Sequence, residues 1–301
     1  MPNFSGVIAP VLTPFGEDGS ADPDRFIEHC QWLMDEGCTG LAPFGTTSEG
    51  NSLGLDERME LLEEIVDADI APELLMPGTG TPSLADTIVL TKHAVEIGCG
   101  GVLVLPPYYY KAPSEEGLYR YFSEMIEGVD EDDLKVYLYH IPPIAQVGFS
   151  LSLIERLRKA FPDVVVGLKD SSGDWNNTAA ILDKFPGFEV FPGSEAFLLD
   201  GLRKGGAGCI SATCNINPGP IRKVFDNWQT NDADKLQEGI SAVRKTVQAY
   251  PLITGLKAVV AHFRDDPEWA KVRPPFTEMP DGDAEKLVSQ LEALGFSMNF
   301  D

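Results

Sequence analysis

Histidine and cysteine are scarce in this 301-residue chain, and neither is arranged for metal chemistry. The histidines His29, His93, His140 and His262 form no HxH or HExxH pair, so no metal site is expected. The cysteines Cys30, Cys38, Cys99, Cys209 and Cys214 show neither CxxC spacing nor an even disulfide framework. Reduced, mostly buried thiols are expected instead. Positive charge is also short: 23 basic against 47 acidic residues leave a formal charge of −24, which opposes a nucleic-acid or anionic-membrane partner. An anionic substrate gains nothing from that field, so local donors must hold it. No apolar run approaches membrane-spanning length, and "MPNFSGVIAPVLTPF" lacks the basic start and continuous apolar core of a signal peptide. With 43% apolar residues and no low-complexity linker, the chain reads as globular throughout and cytoplasmic by default.

What is present is alternation. Short apolar runs ("GVIAPVLTPF", "GLAPFG", "ELLMPGTG", "GVLVLPPYYY", "KVYLYHIPP", "VVVGLKDSS", "FEVFPGS", "GCISATCN") alternate with stretches of helical period such as "DPDRFIEHCQWLMDEG" and "SLIERLRKAF". Asp22 before Pro23, Ser83 and Ser150 are expected to cap helices. "DEGCTGLAPF", "EIGCGGVLVL" and "KGGAGCISAT" repeat one joint, a helix stopped on glycine and followed at once by a strand. Eight such units predict an α/β fold, a closed (β/α)₈ TIM barrel, over residues 1–216. Residues 217–301 are expected to hold the last barrel helix and a C-terminal helical extension in the same structural unit. No G-x-G-x-x-G follows the first strand, which argues against a dinucleotide fold.

Barrel enzymes collect their chemistry at the C-terminal ends of strands. The polar residues expected there are Thr46, Thr47, Ser48, Thr79, Tyr108 to Tyr110, Tyr139, His140, Lys169, Asp170, Ser194, Glu195, Ser211 and Thr213. Lys169 is the only amine. Alternation puts Gly167 and Lys169 on one face, with Tyr137 and Tyr139 sharing a face of the neighbouring strand, so Lys169 and Tyr139 can project into one pocket. An amine held among apolar groups loses the hydration of its charged form, which favours the nucleophilic free base; attack on a carbonyl then gives an imine. A strand-end lysine paired with Asp170, and a core tyrosine with a satisfied hydroxyl, are the competing structural readings. "GTTSEG" offers hydroxyls and backbone N–H groups as a carboxylate cradle. Three consecutive tyrosines in "PPYYYK" cannot all face one pocket, so one is expected to point toward a neighbouring subunit or an interface.

Taken in order, "GTTSEG", "GTG", "PPYYYKAPSEEGLYRYF", "YLYHIPP", "GLKDSSGD", "FPGSEAFLLDGLRKGGAGCISATCN", "GLKAVVAHF" and "RPPF" resemble the dihydrodipicolinate synthase and N-acetylneuraminate lyase family of class I aldolases over nearly the whole chain. The resemblance implies a barrel with C-terminal helices, a homotetramer, and use of a 2-oxo acid such as pyruvate together with an aldehyde. It implies Lys169 as the Schiff-base lysine, Tyr139 as proton shuttle, Thr46 as its relay partner, and Tyr109 as the residue that completes the relay in a neighbouring subunit. Thr46 and Thr47 would hold the pyruvyl carboxylate, the Ile210 carbonyl would face the reacting end, and Gly193 and Ser194 would contact substrate. No metal or organic cofactor is implied, because the imine is the electron sink.

Departures bear on the substrate. Dihydrodipicolinate synthases continue from the tyrosine as Tyr-Asn-x-Pro-x-Arg-Thr, with the arginine binding the aldehyde's carboxylate. "YHIPPIAQVG" has His140 at the asparagine and Ile144 at the arginine, and an apolar group cannot replace a bidentate contact. Leu55 and Arg58 stand where the lysine-feedback site has histidines. The segment is closer to the sialic-acid and sugar-acid lyases, which cleave a 3-deoxy-2-oxo sugar acid. Ser194, Glu195 and Ser172 are then expected to select the aldehyde half. The alternatives are dihydrodipicolinate synthase activity, dehydration of a sugar acid by the same imine, and a catalytically silent metabolite-binding barrel.

Overall fold

A computed structural model of the chain describes residues 4–300. Seven strands are named: β1 (Gly6–Ala9), β2 (Gly40–Leu41), β3 (Val102–Val104), β4 (Val136–His140), β5 (Val165–Asp170), β6 (Glu189–Pro192) and β7 (Gly208–Ile210). They form two parallel arcs, β2-β1-β7 and β3-β4-β5-β6. One gap between the arcs is filled by residues 75–78, which bridge Leu41 to Leu75 and Gly78 to Leu103. The other is closed where the Ala207 N–H donates to the Val190 carbonyl at 3.0 Å. The sheet is therefore a closed (β/α)₈ barrel. The expected third strand, "ELLMPGTG", makes only these isolated bridges because Pro77 has no N–H to give to a ladder.

Helices α1 (Pro23–Asp35), α2 (Leu55–Asp67), α3 (Leu84–Glu96), α4 (Glu115–Val129), the four-residue α5 (Pro142–Ala145), α6 (Leu151–Ala160), α7 (Trp175–Lys184), α8 (Leu198–Arg203) and α9 (Pro218–Asn227) follow the strands. Asp22, Ser83 and Ser150 cap α1, α3 and α6 through their side chains, as expected, each worth about 1 kcal/mol. Gly37, Gly98 and Gly205 turn the three repeated joints with φ of 110°, 88° and 86°. That left-handed backbone is strained for any residue with a Cβ, which explains the repeat.

Apolar residues fill two layers of the barrel. The outer layer lies between strands and helices, whereas Phe4, Ile8, Met76, Leu103, Tyr137 and Phe191 belong to the cluster inside the sheet. A further core joins α10 (Ala233–Val247), α11 (Leu252–Arg264) and α12 (Asp281–Glu292) to Leu12, Ala212 and Ile216, residues that follow β1 and β7. The extension is thus packed against loops at the mouth end of the barrel. All five cysteines are free and buried, and burial pushes the Cys30 and Cys38 thiols up. Among the described residues no helix is long and apolar enough to cross a membrane.

Candidate active site

Strands β4 and β5 set the centre of the site. Their register pairs Tyr137 with Gly167 and Tyr139 with Lys169. A side chain at position 167 would lie 2.4 Å from the Tyr137 ring, so the glycine makes room for that ring beneath the lysine. Lys169 is only 3% exposed, and its amine lies 4.4 Å from the centre of the Tyr139 ring. The Lys169 Nζ donates to the Tyr139 hydroxyl at 3.4 Å, and that hydroxyl is 3.1 Å from Thr46 Oγ1. The amine, phenol and alcohol therefore form one chain. Asp170 is not the lysine's partner: its carboxylate accepts from the Ser172 N–H, the Asn177 amide and the Thr178 hydroxyl at 2.9, 3.0 and 2.6 Å.

The loop carrying Thr46 is held tightly. Phe44 and Glu49 flank it with φ of 63° and 54°, a left-handed backbone that costs such residues about 1–3 kcal/mol each. The Gly50 N–H donates to the Gly45 carbonyl and the Glu49 N–H to that of Thr46, closing the loop on itself. Fixation also comes from the extension. Lys257 on α11 pairs with Glu49 at 2.5 Å, both side chains fully buried, and the Arg273 N–H donates to the second Glu49 oxygen at 3.0 Å. Strain in the loop is thereby overdetermined by contacts from the other end of the chain.

Lys169 opens into a cavity of about 210 Å³. Thr46, Thr47, Tyr139, Gly193 and Ser194 line it. Gly193 allows a close approach, since a Cβ there would strike the Ser171 hydroxyl. Ser171, not Ser172, faces the cavity; the Ser172 hydroxyl accepts from the Asp174 N–H in the following turn. Glu195 does not reach it either, because its fully buried carboxylate accepts from the Ser211 and Thr213 hydroxyls. Ile210 is buried at the end of β7, and Ala212 provides the lining there. His140 and Thr79 are used structurally: His140 Nδ1 accepts from the Phe149 N–H at 2.9 Å, and Thr79 accepts from Thr91. Burial lowers the proton affinity of His140.

Of the three tyrosines, Tyr108 turns inward and donates to Asn51 at 2.7 Å. Tyr109 is 71% exposed in the single chain and lies outside the cavity. Among the charged lining residues, one escapes the sequence pattern. Arg244, from α10, reaches the cavity that also contains Lys169. Nothing in the local pattern of α10 marks it, since a helical arginine reads as solvated surface.

A model of the dihydrodipicolinate synthetase family matches residues 3–294. The chain belongs to that family. Its members are lyases that make or break carbon–carbon bonds, and this chain is a class I aldolase or lyase of that kind. Within the dihydrodipicolinate synthetase family it is 36% identical to a DapA-like lyase of Chloroflexus aurantiacus over 267 residues, 88% of this chain and 89% of the relative. The crystal structure of dihydrodipicolinate synthase from Agrobacterium tumefaciens superposes with a TM-score of 0.89 at 31% identity, covering 96% of this chain and 99% of that one. YagE, a prophage protein of Escherichia coli K12 solved in complex with pyruvate, gives 0.88 at 26% identity over 97% and 99%.

Proposed function

We propose that the protein forms a Schiff base between Lys169 and pyruvate, or another 2-oxo acid, and cleaves or condenses a 3-deoxy-2-oxo sugar acid. The observation that carries this reading is the continuous chain from the Lys169 amine through Tyr139 to Thr46, inside a cavity lined by Thr47 and by Ile144. In the cleavage direction the amine attacks the C2 carbonyl and the Tyr139 phenol gives its proton to the departing hydroxyl, so that water leaves and an imine protonated on nitrogen remains beside the Tyr139 phenolate. Tyr139 takes the proton from the C4 hydroxyl as the C3–C4 bond breaks; its electrons flow into the iminium, and the aldehyde departs. Return of that proton to C3 of the enamine, followed by hydrolysis, frees pyruvate and the amine. Thr46 stabilises the transient phenolate, and the hydroxyl and N–H groups of Thr46 and Thr47 hold the substrate carboxylate. Tyr109 from a second copy would extend the relay in an oligomer; its exposure in the single chain agrees with that role.

The decisive test is intact mass after pyruvate and borohydride, with peptide mapping. One reduced pyruvate on Lys169 supports the reading, and a folded protein that takes no adduct from any 2-oxo acid would refute it. Release of pyruvate from a panel of 3-deoxy-2-oxo acids tests the sugar-acid half. A second reading, condensation of pyruvate with aspartate semialdehyde, has the synthase from Agrobacterium tumefaciens in its favour. Against it stands Ile144, apolar and 62% exposed, at the position where synthases carry the carboxylate-binding arginine.

A further inference from the structure

The cavity holds one cation that the proposed chemistry leaves unused. Its charged lining residues are Lys169, Asp170 and Arg244. The lysine is committed to the imine, and the Asp170 carboxylate is saturated by three donors. Arg244 is presented rigidly. On the same face of α10, two turns earlier, the Gln237 side chain donates to the Glu195 carbonyl at 2.9 Å and accepts from the Leu199 N–H at 3.1 Å. The helix is thus pinned to the loop that follows β6.

The guanidinium is oriented but not saturated. Its side chain is 13% exposed; Nε donates to Gln248 at 3.3 Å and Nη1 to the Ser211 hydroxyl at 3.4 Å. Nη1 also forms a long ion pair with the buried Glu195 carboxylate at 3.8 Å, without a hydrogen bond, because the Glu195 oxygens accept from Ser211 and Thr213. Nη2 donates to no residue among those described. A planar guanidinium with a free amino edge matches a carboxylate far better than a single hydroxyl. The chain's charge of −24 offers no long-range attraction for an anion, so a local cation is what a second carboxylate would need.

We propose that Arg244 binds a terminal carboxylate on the aldehyde half of the substrate, making that substrate a 3-deoxy-2-oxo sugar diacid. The proposal rests on the Schiff-base reading and narrows it. Arg244 takes over, from the helical extension, the charge that Ile144 cannot supply from the barrel.

The experiment compares two 3-deoxy-2-oxo acids of equal chain length, one ending in a carboxylate and one in a primary alcohol. Consumption of each is followed with the unaltered protein, Arg244→Met and Arg244→Lys, alongside melting temperature and borohydride trapping with pyruvate. The unaltered protein is expected to favour the diacid by about tenfold or more in kcat/KM, mainly through KM. Arg244→Met should erase that preference, Arg244→Lys should restore part of it, and pyruvate should still be trapped on Lys169 in all three. Intact trapping with no preference for the diacid, or an equal loss on both substrates in Arg244→Met and Arg244→Lys, would overturn the role of Arg244 alone. Absence of trapping in the unaltered protein would bring down the Schiff-base reading and this proposal with it.

Discussion

Two lysines are buried among the described residues, Lys169 at the end of β5 and Lys257 on α11, and each amine lies over an aromatic ring, at 4.4 Å from Tyr139 and 4.3 Å from Phe15. Their other partners differ. Lys257 pairs with Glu49 at 2.5 Å and donates to the Lys271 carbonyl at 2.7 Å, while Lys169 has the Tyr139 hydroxyl at 3.4 Å. Desolvation pulls Lys257 down to about 8 against the attraction of Glu49, yet the cavity does not reach it. Burial and a weakened hold on the proton therefore do not make a nucleophile; an open cavity and an adjacent proton carrier are also required. The two sites are linked through Glu49, which sits in the same loop as Thr46 and Thr47. On the proposed function one lysine does the chemistry, and the other fixes the loop that serves it.

Removing each amine should separate these roles. Lys169→Ala is expected to lower turnover by about 10⁴-fold or more and abolish pyruvate trapping, with the melting temperature held or raised, because an amine without a carboxylate partner adds little to stability. A large fall in melting temperature would place Lys169 with Lys257 among structural lysines. Tyr139→Phe comes next in size. It keeps the ring under the amine but deletes the hydroxyl between Lys169 and Thr46, so turnover should fall by about 10²–10⁴-fold. Trapping of pyruvate should persist, more slowly; turnover within threefold of the unaltered protein would remove Tyr139 from the proton path.

The lysine at the cavity is far easier to read in the sequence than the one on α11. Alternation along a strand is a local rule, so spacing alone sets Gly167 and Lys169 on one face and Tyr137 and Tyr139 on one face of the neighbouring strand; the register then adds which residue stands beside which. The rule stops where the strand stops. Just beyond Asp170 the chain turns, and Ser171 rather than Ser172 meets the cavity. Position in the motif points Glu195 at substrate, but the Ser211 and Thr213 hydroxyls draw its carboxylate inward, a contact between the ends of two strands that sequence spacing does not encode. Arg244 and Lys257 depend on how the extension docks. "GLKAVVAHF" is legible as a family motif, yet the reason for its lysine is Glu49, more than half the chain away.

Lys257→Met tests the structural half of the comparison. It leaves the Glu49 carboxylate buried without its cation, at a cost of about 3–5 kcal/mol, so the melting temperature should fall by roughly 5–10 °C. Glu49→Gln in that background should recover part of the loss, because a neutral amide tolerates burial better. Trapping of pyruvate on Lys169 should survive wherever the variant is folded. A single variant that melts within 1 °C of the unaltered protein, by differential scanning calorimetry, would show that the pair contributes nothing net, as some buried ion pairs do.

The smallest expected effect is on the pH dependence of that same cost. Lys257 falls from an ordinary 10.5 to about 8 in the folded protein. Between those values the unfolded chain binds more protons than the native one, so this group's contribution to stability rises with pH across that window and is flat below it. Lys257→Met lacks the term. The gap in unfolding free energy between the unaltered protein and the variant should therefore widen from pH 7 to about pH 9.5 in urea titrations. A gap that stays constant would mean that the attraction of Glu49 balances desolvation fully. Lys257 would then be a plain ion pair whose cation simply offsets the buried Glu49 carboxylate.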